Sequence, residues 1–79
     1  MKREKITNDV FKIIADSLGA SEDKINESQN LETDLGVDSL DFIELLMDLE
    51  ETFDIRITEE AADNLKTVKD LIDLVTKAQ

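Results

Sequence analysis

The stretch from Ser39 to Phe53 carries apolar residues at helical spacing with no Pro or Gly to interrupt them. A long helix expected from about Ser39 to Thr52 obliges the rest of the chain to supply a surface that covers its apolar stripe. At about 100° per residue, Phe42, Ile43, Leu45, Leu46, Leu49 and Phe53 fall within an arc of roughly 160°, the expected core face. Asp41, Glu44, Asp48 and Glu51 share a separate arc of roughly 80°. Leu40 and Met47 lie beside the acidic arc and off the core face, which suggests a docking surface. Glu50 projects into the apolar arc, so that edge is expected to be exposed. Gly36 allows a turn ahead of the helix. Asp38 or Ser39 can accept a hydrogen bond from the free N–H groups of the first turn. Asp38 and Asp41 also place negative charge at the positive end of the helix dipole.

The remaining segments arrange themselves around this helix. Residues 6–18 read as a first helix with Ile6, Val10, Phe11, Ile13, Ile14 and Leu18 on one stripe and Asp9, Lys12 and Asp16 opposite. Thr7 or Asn8 is the expected cap, and Gly19 sits where a helix-ending glycine belongs. Residues 19–38 form an unusually long connection, read as an ordered loop pinned by Ile25, Leu31 and Leu35 between antiparallel helices. Ser21–Lys24 offers a short helical turn within it. Phe53–Ile57 alternates apolar and polar, a short extended segment. Thr58 caps a short third helix over Glu59–Asn64, and Thr67 with Asp70 resembles a capping box opening a last helix that carries Val68, Leu71, Ile72, Leu74 and Val75. The expected fold is all-α: a small bundle of three main helices plus one short helix, with a long ordered loop between helices 1 and 2.

Seventy-nine residues read as one domain over 1–79, near the lower limit for a self-sufficient core. The chain has no Cys, which excludes disulfides, Cys-ligated zinc and a catalytic thiol. It has no His, which excludes a Ser-His-Asp triad and histidine acid–base chemistry. Twenty acidic residues against nine basic ones give a net charge of -11. That balance disfavours nucleic acid and anionic membrane surfaces and favours basic protein partners. No apolar run is long enough to span a membrane, and Met1–Lys5 is not followed by a signal-peptide core. The chain therefore reads as soluble and cytoplasmic.

Ser39 has the one distinctive chemical setting, a hydroxyl at a helix start between acidic neighbours. Without histidine it is not self-activated, so a role for it requires modification by another protein. On residue type alone, capping the helix is its plainer role. The acids lack calcium-loop spacing, and no feature selects a catalytic carboxylate pair or a metal site.

Leu35-Gly36-Val37-Asp38-Ser39-Leu40-Asp41, followed by Glu44-Leu45 and Leu49-Glu50-Glu51-Thr52-Phe53, resembles the acyl carrier proteins. The resemblance extends over nearly the whole chain, with every expected helix in family order. It implies that Ser39, beside Asp38, receives 4′-phosphopantetheine from coenzyme A through a phosphodiester, making a phosphoprotein. A separate magnesium-dependent phosphopantetheinyl transferase performs this step. The arm's thiol then holds acyl chains as thioesters, so the cofactor carries the sulfur and the chain itself is not an enzyme. Leu40, Asp41, Glu44, Met47, Asp48 and Glu51 are the implied docking residues for acyl-processing enzymes with basic surfaces. Phe42, Leu46, Ile57, Ala62 and Leu71 are the implied lining of an acyl-chain cleft.

Two positions depart from the family pattern. Thr58 stands where proline is common, and Phe42 is bulkier than usual, which implies a narrower cleft. The expected role is a monomeric carrier in fatty acid biosynthesis. The alternatives are a carrier of the same fold for polyketide, aminoacyl or D-alanyl transfer, or an acidic adaptor protein. Because acidic self-repulsion opposes compaction, the thermal unfolding midpoint followed by circular dichroism should rise on adding salt or divalent cations.

Overall fold

The first helix, α1, spans Arg3–Leu18 in a computed structural model that describes residues 2–78. The outermost residues of the expected domain, Met1 and Gln79, lie outside the described residues. The helix begins a turn earlier than its apolar stripe, and neither Thr7 nor Asn8 caps it. Lys2 is the N-cap residue and makes no side-chain cap bond. Tertiary ion pairs account for the difference. The Arg3 guanidinium reaches Asp73 at 2.8 Å and Glu27 at 3.2 Å, which draws the polar first turn into the helix. Asp73 contributes most to holding that guanidinium even more firmly protonated than usual. Ile6, Val10, Ile14 and Ala15 are buried, while Phe11, Ile13 and Leu18 pack at the core's edge. Gly19 ends α1 in the left-handed conformation, at φ 67°.

The fold is all-α. Helix α2 spans Ser39–Phe53, α3 spans Glu59–Asp63 and α4 spans Val68–Ala78. Helix α1 packs against both α2 and α4. The shared core joins these helices to Ile25, Leu31 and Val37 of the long loop, and no buried polar or charged residue interrupts it among the described residues. Within α2, Leu45, Leu49 and Phe53 are buried and Phe42 and Leu46 half-buried. Ile43 departs from its expected place in the core: it is 55% exposed. The buried stripe is narrower than the apolar arc, and Ile43 at its margin is left uncovered.

Glu50 also behaves differently from expectation. It is half-buried, and its carboxylate accepts a hydrogen bond from the Ile57 N–H at 2.8 Å. Its carbonyl accepts from Ile55 N–H at 3.1 Å, across a left-handed Asp54 at φ 53°. Phe53 thus completes α2 and Asp54 reverses the chain, so the inward–outward alternation is confined to Ile55, Arg56 and Ile57. The apolar arc accommodates Glu50 because its charge meets a backbone donor that would otherwise lack a partner.

The loop over residues 19–38 is ordered by two devices. Ile25, Leu31 and Val37 are buried, whereas Leu35, expected as a pin, is only half-buried. A single 3-10 turn occupies Glu22–Lys24. The second device has no local sequence signature. Leu31 N–H donates to the Lys66 carbonyl at 2.9 Å, Val68 N–H to Gln29 at 3.1 Å and Lys69 N–H to Glu27 at 3.0 Å. These bonds clasp the loop to the start of α4, with Asn30 and Thr67 forming an isolated antiparallel bridge.

The same junction carries the α4 capping box. Asp70 accepts from Lys66 N–H at 2.9 Å and Thr67 N–H at 3.0 Å, while Asp70 N–H donates to the Thr67 hydroxyl at 3.2 Å. Desolvation pushes the Asp70 carboxyl up, but the two backbone donors, the Thr67 side chain and the nearby Lys69 charge together hold the group below its ordinary value. A carboxyl depressed in the folded state stabilises the fold above its unfolded value, near 3.9. That contribution fades as pH falls through the lower folded value. Asp70→Ala should therefore lower stability by about 1 kcal/mol at neutral pH. Denaturant titrations should show the gap from wild type narrowing below about pH 4.

Candidate functional site

The turn before α2 is built from short polar side chains. Asn30 Oδ1 accepts from Glu32 N–H and Thr33 N–H, each at 2.9 Å, and Asp34 accepts from Asn30 N–H at 2.7 Å. Gly36 takes a left-handed conformation at φ 68°, and Val37 N–H closes the turn on the Leu31 carbonyl at 2.9 Å. The chain is thereby delivered to Asp38 in the extended conformation that precedes a helix.

Asp38, not Ser39, is the cap. Its carboxylate accepts from Asp41 N–H at 2.9 Å, and Asp41 accepts in return from Asp38 N–H at 3.4 Å. This capping box uses Asp in both places. Ser39 is thus the first residue of α2, exposed, and its hydroxyl takes part in no hydrogen bond among the described residues. A hydroxyl with no structural task at a rigid helix start is open to external chemistry.

Beside Ser39 lies a groove of about 320 Å³. Leu31, Val37, Phe42, Ala62 and Leu65 supply its apolar walls, and Glu32, Asp38, Asp63 and Lys66 are among its polar ones. It therefore brings together Ser39, Asp38, Phe42 and Ala62. Leu46, Ile57 and Leu71 are not among its lining residues. Leu46 is half-buried at the core's edge, Leu71 is fully buried, and Ile57 lines a separate hollow with Met47, Glu50 and Arg56. Burial explains the absence of Leu71, whereas Leu46 and Ile57 are half-buried and lie away from this groove.

The outer face of α2 exposes Leu40, Ile43 and Met47, at 65%, 55% and 60%. Glu44, Asp48 and Glu51 are exposed on the same helix, and Asp41 is half-buried in its capping bond. Reasoning from sequence placed Leu40 and Met47 outside the core but missed Ile43, whose i+3 spacing from Leu40 and i+4 spacing to Met47 is the available signal. Among the described residues no cluster of carboxylates is arranged to hold a metal ion, and no helix is long and apolar enough to cross a membrane.

Residues 8–75 match the family model described as the phosphopantetheine attachment site. The chain is 43% identical over 75 residues to an acyl carrier protein of Exiguobacterium sibiricum, covering 95% of each. It is 46% identical over 68 residues to an acyl carrier protein of Syntrophobacter fumaroxidans, covering 86% of this chain and 84% of that one. The crystal structure of an acyl carrier protein from Thermotoga maritima matches with a TM-score of 0.82 at 35% identity, over 99% of this chain and 91% of that one. The class is that of phosphopantetheine-bearing carrier domains, and the chain belongs to the acyl carrier protein family. Members interact with a transferase and with acyl-processing enzymes and are carriers, not catalysts.

The family's group is 4′-phosphopantetheine, and the residues present fit it. An exposed hydroxyl free of internal bonds stands at a helix N-terminus, whose free N–H groups favour a phosphate. If Asp38 is the cap and Ser39 is idle, the two alanine variants should differ. Asp38→Ala should lose about 1 kcal/mol of folding stability, and Ser39→Ala almost none, as read by chemical denaturation.

Proposed function

We propose that this protein, as one acyl-carrier domain over residues 1–79, carries acyl intermediates of fatty acid biosynthesis on 4′-phosphopantetheine joined to Ser39. The observation that carries this reading is the exposed, unbonded Ser39 hydroxyl on the first turn of α2. When attached, the group supplies the thiol that a chain without Cys lacks, and holds cargo there as a thioester. Asp38 keeps the attachment point at a fixed place on the helix. The groove beside it, with Phe42 and Ala62 in its walls, shelters the near end of the cargo.

The outer face of α2 is the docking surface in this reading. Leu40, Ile43 and Met47 give an apolar centre. Asp41, Glu44, Asp48 and Glu51 give the charge that meets basic enzyme faces. Long-range attraction speeds encounter, and a small apolar centre lets each partner leave again. The carrier acts as a monomer in the cytoplasm.

The polar part of the groove favours a second reading, a carrier of the same fold whose cargo is short and polar, such as an aminoacyl group. Glu32, Asp38 and Asp63 line a space of about 320 Å³, at the low end for ligand pockets. Pull-downs with candidate enzymes of each pathway separate the two.

Incubation with coenzyme A, magnesium and a phosphopantetheinyl transferase should add one arm by intact mass. Ser39→Ala should abolish the gain while keeping the wild-type circular dichroism spectrum. An unmodified wild type, or a modified Ser39→Ala, rejects the assignment.

A further inference from the structure

The groove beside Ser39 contains one positive charge in a chain of net charge -11. That charge is Lys66. Its main chain is held from two directions: its N–H donates to Asp70 at 2.9 Å and its carbonyl accepts from Leu31 N–H at 2.9 Å. The root of the side chain is thus fixed against the loop that leads into α2. The ammonium itself is free. Among the described residues the ion pairs belong to Arg3 and Lys5, and none engages Lys66 although Glu32, Asp38 and Asp63 line the same groove.

We propose that Lys66 is a positioning residue whose ammonium pairs with the phosphodiester of the group carried on Ser39. The inference rests on Ser39 as the attachment point. A phosphodiester introduced there is an anion placed among Asp38, Asp41, Glu32 and Asp63, all of which repel it. Helix N–H groups offset part of that repulsion. Lys66 is the lining residue able to offset more, and its flexible stem lets a compact ammonium follow the phosphate without fixed geometry. The pairing biases the root of the arm toward the groove and away from open solvent. Because both partners are near the surface, the interaction is weak and screened by salt.

The test uses the full chain as wild type, Lys66→Met and Lys66→Arg, each loaded with 4′-phosphopantetheine and checked by intact mass. The Lys66 backbone bonds survive both substitutions, so matching circular dichroism spectra are expected. The readout is the phosphorus NMR resonance of the phosphodiester. It is followed from about 0.1 M salt, where screening acts over about 10 Å, to 1 M, where it acts over about 3 Å. The wild-type resonance should move with salt by more than that of Lys66→Met, and Lys66→Arg should restore the wild-type response. Identical resonances and salt responses in all three loaded proteins overturn the pairing while leaving Ser39 attachment intact. Failure of the wild type to gain the arm overturns both.

Discussion

The backbone clasp between residues 27–31 and the start of α4 is the interaction on which the other features depend. Leu31, Val68 and Lys69 each donate an N–H across it. Without the clasp, the polar segment after Gly19 is held by Ile25, a 3-10 turn, the exposed Arg3–Glu27 ion pair and short-range side-chain bonds around Asn26 and Gln29. With it, Leu31 and Val37 are drawn into the core, and the Asn30 turn acquires a fixed place from which to launch α2. The Asp38–Asp41 box and the groove wall at Leu65 and Lys66 both inherit their position from this contact. Backbone pairing suits the task because it needs no particular side chain and does not weaken when the surface is crowded with like charge.

Charge is segregated in the same economical way. The core holds no buried polar or charged group among the described residues. Carboxylates that do approach it, Glu50 and Asp70, meet backbone N–H donors. Several others, Asp34, Asp38 and Asp41, also spend their charge on backbone donors at turns and helix starts. Acidity is therefore partly structural. The outer face of α2 differs, since Glu44, Asp48 and Glu51 stand exposed around an apolar centre that the fold does not use.

What the sequence showed depended on range. Gly19, Thr58 and the Thr67–Asp70 pair announced helix ends through side chains that act within a few residues, and the structure has each in that role. Thr7 and Asn8 misled because the Arg3 ion pairs to Glu27 and Asp73 join distant segments and carry the helix past them. Ile43 and Glu50 were misplaced because periodicity gives the direction of a side chain but not the width of the surface that covers it. The place of Lys66 in the groove wall was invisible in the sequence, since it exists only once the loop is clasped to α4. The alternatives Asp38 and Ser39 at the helix start could be separated only by geometry.

The position of Ser39 on the first turn of α2, rather than on a swinging loop tip, has a kinetic consequence. Anything tethered there radiates from a point fixed relative to Leu40, Ile43 and Met47 on the same rod. In the function proposed here, once that face is engaged, delivery of the tethered load into a neighbouring chamber is an intramolecular search, governed by an effective concentration set by tether length. Reach then belongs to the tether and aim to the rod. A partner whose entrance lies at the matching distance from its contact patch receives the load without the protein having to bend.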